Sequence, residues 1–91
     1  MSKRASKSIA AQNTFSDSVE INGKGAISIS GLSDTTATVQ RMIDGTNWRD
    51  VESYTADQEL VIDDIDCSYR VGVKTGDYGT DTVVVYIRSL T

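Results

Sequence analysis

The chain predicts an all-β domain: one small antiparallel β-sandwich of about seven strands, Ig-like or jelly-roll-like, with a flexible N-terminal arm. Three observations predict it. Asp44-Gly45-Thr46-Asn47 separates two β-like runs, one carrying Thr38, Val39, Met42 and Ile43 and the other Trp48 and Val51. Asp-Gly in that setting is a strong hairpin signal, because Gly accepts a positive φ without a Cβ clash. Turn signals then recur from Phe15 onward at the spacing of a sandwich or barrel. No segment shows helical spacing of its apolar residues over two turns.

The elements follow in order. Residues 1–14 are rich in Ser, Ala and Lys, with Ile9 the only large apolar residue besides Met1. That composition buries too little area to offset its ordering entropy and reads as a flexible basic arm, leaving 15–91 as the sandwich domain. Phe15 to Ile21 reads as the first strand, closed by Asn22-Gly23-Lys24-Gly25. Ala26 to Gly31 alternates Ile27 and Ile29 with Ser28 and Ser30, the period of a half-buried strand. Thr35 to Ile43 and Trp48 to Tyr54 form the hairpin, and Gln58 to Ile62 is a short strand with Leu60 and Ile62 on one face. Ser68 to Lys74 alternates Tyr69, Val71 and Val73 with polar positions and ends in the turn Gly76-Asp77-Tyr78-Gly79. Thr82 to Leu90 closes the fold, with Val83, Val85 and Ile87 on one face. The expected core is Phe15, Ile27, Ile29, Val39, Trp48, Tyr69, Val71, Val73, Val83, Val85 and Ile87, with Trp48 as an anchor between the sheets.

The hairpin breaks the simple alternation twice. Arg41 shares a face with Val39 and Ile43, and Trp48 and Val51 are three apart, which places them on opposite faces of a regular strand. A β-bulge on one side repairs both; the alternative is an Arg41 near the sandwich end, paired with an acid such as Asp50.

Ninety-one residues make one domain, without room for a second core. A chain this short buries only about 60–65% of the surface its unfolded form exposes, so oligomerisation or docking on a larger body is the expected support. Cys67 is alone, excluding an internal disulfide, and reads as a small buried hydrophobe. The longest apolar run is Val83-Val84-Val85-Tyr86-Ile87, far too short for a membrane helix, and the basic N-terminus lacks the apolar core of a secretory signal. A cytoplasmic product is expected.

Charge is unevenly spread. Lys3, Arg4 and Lys7 give the first sixteen residues +3, while the remaining seventy-five carry −7. Phosphate is repelled over such a body, so nucleic acid is not an expected partner. Beside the flexible-tail reading, the functional alternative is that these basic residues, with Ile9, order against a neighbouring subunit or an acidic partner surface.

Catalytic constellations are thin. Histidine is absent, excluding Ser-His-Asp and Cys-His arrangements. No Gly-rich phosphate loop opens a helix, and no enzyme, cofactor or metal centre is expected. In residues 57–66, Asp57, Glu59, Asp63, Asp64 and Asp66 offer oxygens to a hard cation, but without EF-hand spacing; a solvated acidic loop is the preferred reading.

Thr38-Val39-Gln40-Arg41, Asp44-Gly45 and Trp48-Arg49-Asp50-Val51, followed by Tyr69-Arg70-Val71-Gly72-Val73-Lys74-Thr75-Gly76 and a terminal β-run, resemble a pattern in small virion proteins of tailed bacteriophages. The resemblance covers about residues 15–90 and implies a sandwich that decorates a capsid. The implied role is a cement protein on the outer shell, assembled in the host cytoplasm, bound to the major capsid protein or other virion subunits and often trimeric. On that reading residues 1–14 drape over a neighbour, and deleting them weakens attachment. The competing expectation is a tail or fibre module in which Trp48, Tyr54 or Tyr78 stacks on host-surface glycan.

Overall fold

The computed structural model describes residues 4–63 and 67–90. Nine strands follow in order: β1 (Arg4–Ile9), β2 (Thr14–Phe15), β3 (Val19–Ile21), β4 (Lys24–Ser30), β5 (Ala37–Met42), β6 (Arg49–Tyr54), β7 (Gln58–Asp63), β8 (Cys67–Val73) and β9 (Val83–Ser89). The described residues contain no helix. One antiparallel sheet has the order β1-β9-β4-β7; the other runs β2-β8-β5-β6, with β3 also paired to β8. Since β2 and β3 share one side of β8, each sheet offers four strand positions. The chain crosses between sheets repeatedly, as in a jelly roll, and the Ig-like alternative is not the order seen.

The strands form where period-two alternation sends one set of side chains between the sheets. Ile27 and Ile29 of β4, Val83, Val85 and Ile87 of β9, Tyr69, Val71 and Val73 of β8, and Val39 of β5 all lie in the core. Cys67 is half-buried at its edge. Two expected core residues are not there. Phe15 and Trp48 are only half-buried, outside the core cluster: Phe15 faces outward opposite Gly72 on β8, and Trp48, just before β6, lies against the outward-facing Arg70.

The N-terminal segment departs most from expectation. Arg4–Ile9 is not a flexible arm but a six-residue strand paired antiparallel with β9, from Arg4 opposite Arg88 to Ile9 opposite Val83. Ile9 is fully buried. Its ladder with β9 and the burial of Ile9 hold the segment, and the pairing strand, far away in sequence, is invisible in the segment's own composition. Removing residues 1–14 would therefore strip a strand and a core isoleucine rather than release a tether. Lys3 lies outside the described residues.

The expected first strand is broken into β2 and β3 at Ser16. This buried serine donates its N–H to the Val71 carbonyl at 2.8 Å and accepts the Val71 N–H on Oγ at 3.2 Å, so the ladder with β8 continues through the interruption. The hairpin carries the expected irregularity. Val39 faces Glu52 but Gln40 faces Asp50, leaving Val51 as the extra residue of β6. In the turn, Asp44 Oδ1 accepts the N–H groups of Thr46 and Asn47 at 2.9 and 2.8 Å while Gly45 takes φ 77°. Those bonds lower the Asp44 carboxyl to about 2.

At one end, Asp81 fastens the β4–β5 connection to the β8–β9 connection. Its carboxylate accepts the Ser33 hydroxyl at 2.5 Å and the N–H groups of Ser33, Asp34 and Thr35 at 2.8, 3.0 and 3.2 Å. Asp34 reciprocates toward Thr80 N–H and Oγ1 at 2.9 and 2.7 Å. The Ser33 hydroxyl bond, then the Ser33 N–H, hold the Asp81 carboxyl well below the ordinary range. A depressed folded-state value means stability that is complete above the unfolded carboxyl's titration and lost as pH falls through the folded one. Thermal melts from about pH 4 downward should therefore show a falling Tm, with a shallower fall in Asp81→Asn. Parallel profiles would remove Asp81 from the acid transition.

Candidate binding face and sheet edges

The outer face of β8, β5 and β6 carries a connected set of side chains. Inward-facing Tyr69, Val71 and Val73 leave Arg70 and Gly72 of β8 facing out. Phe15 lies opposite Gly72, and Gly72 opposite Thr38. One position along, Arg70 lies opposite Gln40 and Gln40 opposite Asp50. The Arg70 guanidinium is stacked between two rings, 4.3 Å from the Phe15 centroid and 4.4 Å from that of Trp48.

A polar chain crosses the strands beside this stack. Arg70 Nε donates to Gln40 Oε1 at 2.8 Å, Gln40 Nε2 donates to Asp50 Oδ1 at 2.8 Å, and Lys74 Nζ donates to Asp50 Oδ2 at 2.6 Å. Thr38 and Ser53 share a hydroxyl bond at 3.0 Å. The bulge at Val51 makes the chain of bonds possible, since it brings Asp50 rather than Val51 opposite Gln40. Asp50 is thus engaged with Gln40 and Lys74.

Along this chain of bonds each charged form of the Asp50–Lys74 pair is favoured by its partner. The Lys74 and Gln40 bonds hold the Asp50 carboxyl below its usual range, and Asp50 in turn raises Lys74. Burial lowers Arg70 from a very high starting value, and the two ring faces offset part of that desolvation. The shifts of Asp50 and Lys74 both run away from neutrality, so that pair stays charged there. The face presents aromatic planes, an amide and paired charges at set positions.

The sequence pointed elsewhere for binding. Arg4 and Lys7 are exposed on the β1 edge, but Ile9 belongs to the core of its own domain and does not face a partner. Trp48, Tyr54 and Tyr78 do not form one platform. Trp48 sits on the outer face, Tyr54 lines a groove between the sheets, and Tyr78 packs on the core while donating its hydroxyl to the Asp81 carbonyl at 2.9 Å. Sequence pattern alone does not mark Arg70, Gln40 or Lys74 as members of one site. The available signal was an arginine two residues before a strand glycine, a space that an aromatic ring from another strand fills.

The two lateral sides of the sandwich differ. On one side β1 carries Arg4 and Lys7. On the other, β6 and β7, whose outer edges pair with no other described strand, flank a groove of about 250 Å³, lined by Val39, Val51, Tyr54, Leu60 and Ile62 with Glu52 and Asp63 among its walls. Val61 is 75% exposed and Val51 43% exposed along these strands. Of the acidic residues, Asp57 accepts the Leu32 N–H at 2.9 Å, Glu59 accepts the Ser28 hydroxyl, and Asp64 and Asp66 lie outside the described residues. Among the described residues no three metal-ligating side chains converge.

No protein-family model, no curated protein and no solved structure matches this chain.

Proposed function

We propose that the chain is a structural subunit that works assembled: a decoration protein of a tailed-phage virion, bound on the outside of the shell to the major capsid protein and to copies of itself. The observation that carries this reading is the side of the sandwich formed by β6 and β7. The regular edge of β7, unpaired among the described residues, an apolar groove and exposed Val51 and Val61 are features that an isolated monomer normally covers or blunts, and only β6 is blunted here, by its bulge. The jelly-roll order supports it, since that architecture recurs in viral capsid domains as well as in lectins, although fold alone assigns no function. Cement action needs many modest contacts, and linked copies supply avidity where one small interface is weak.

The direct test is co-sedimentation of the full chain with undecorated heads assembled from the capsid protein of the same genome. Saturable pelleting with the heads, and heads that withstand higher temperature once decorated, is the expected result. A chain that stays in the supernatant at saturating heads contradicts it.

The position of Trp48 favours a second reading. Half-exposed beside Arg70 and Gln40, it has the neighbours of a sugar-stacking residue. Host-surface polysaccharide should then shift Trp48 emission, and an unchanged spectrum across such polysaccharides rejects a glycan module.

A further inference from the structure

We propose that copies of this chain associate head to tail, the β1 strand of one copy adding to the free edge of β7 in the next. Lys7 of the incoming strand then sits at the groove between β6 and β7. The inference rests on the assembled-subunit reading and identifies its self-contact.

Strand direction permits this pairing. Every neighbour in the β1-β9-β4-β7 sheet is antiparallel, so β1 and β7 run in opposite directions. A second copy in the same orientation therefore presents β1 antiparallel to β7, continuing the sheet. The other free edge on this side is less suitable, because the extra residue Val51 distorts β6. β7 is regular over all six residues, and the chain has no proline to blunt it.

The side-chain pattern selects the same partner. On its bonded side β7 receives β4 with Lys24 opposite Asp63, Ala26 opposite Val61 and Ser28 opposite Glu59, the Ser28 hydroxyl donating to Glu59. β1 repeats that series on its own outer face as Arg4, Ser6 and Ser8. Placing Arg4 opposite Asp63 sets Ser8 opposite Glu59 and keeps inner and outer faces aligned. Lys7 then falls opposite Leu60, the place Ile27 takes on the other side. Its apolar stem suits a wall of Leu60, Ile62 and Val51, and its ammonium suits Glu52 and Asp63.

Charge excludes the symmetric alternatives. Pairing β7 with β7 about Val61 sets Glu59 opposite Asp63, and pairing β1 with β1 gathers two copies of Arg4 and Lys7 along one edge. A head-to-tail contact cannot close with two copies, so its smallest ring is a trimer and its open form a filament.

The test is the solution mass of the full chain by light scattering, with two charge-reversed variants, Arg4→Glu/Lys7→Glu and Glu59→Lys/Asp63→Lys. The wild type should grow past a dimer with concentration, and raising salt from about 50 mM to about 500 mM should shrink it. Each variant alone should be monomeric with an unchanged far-ultraviolet spectrum, and the equimolar mixture should recover the large species. A wild type that stays monomeric or stops at a dimer overturns the proposal, as does either variant, folded, assembling like the wild type. A monomer that still decorates heads would overturn this contact and leave the decoration role standing; an oligomer that ignores heads would do the reverse.

Discussion

Gly72→Ala will destabilise the domain by about 3 kcal/mol or more, a Tm loss of about 12 °C or more for a chain of this size. A Cβ at Gly72 would run into the Thr14 carbonyl oxygen and lie 2.5 Å from Phe15 Cα and 2.8 Å from the Phe15 ring. Two of these obstacles are backbone, so a rotamer change gives no relief and β2 must move off β8. That displacement would also withdraw Phe15 from the Arg70 guanidinium, so the outer face and the fold fail together. Thermal melts followed by circular dichroism measure the loss; a Tm within a degree or two of the wild type would mean that β2 is not seated on β8 as described.

Ile9→Ala will cost about 2–5 kcal/mol, the range for truncating a fully buried isoleucine. Arg4→Ala and Lys7→Ala, on the same strand but exposed, should stay within about 0.5 kcal/mol in the monomer. Urea unfolding separates the three. An Ile9→Ala midpoint equal to that of the two exposed variants would return the N-terminal segment to a tether and remove β1 from the fold.

These two residues mark where the sequence was and was not legible. The β-rich architecture was readable because Ile27/Ile29, Tyr69/Val71/Val73 and Val83/Val85/Ile87 alternate cleanly, and all eight are buried. The irregular hairpin was readable too, since the three-residue spacing of Trp48 and Val51 signals an extra residue and Val51 is that residue. β1 was not. Arg4-Ala5-Ser6-Lys7-Ser8 has almost nothing to bury, and it is held as a strand by its ladder with β9, far away in sequence. Trp48 misled for a related reason. A single tryptophan in a small domain suggests a core anchor, yet Trp48 instead shares a cation with Phe15, a pairing that depends on which strands lie side by side. Local pattern reports which face is apolar, whereas the strand order decides which outward side chains meet.

Hydrogen exchange along the backbone of the full chain, at low and high concentration, bears most directly on the claim that this sandwich works assembled through its edges. Amide protection should rise with concentration in Arg4–Ile9 and Gln58–Asp63, with little change in Arg49–Tyr54. Exchange in both edge strands that is independent of concentration, or a rise confined to Arg49–Tyr54, would contradict it.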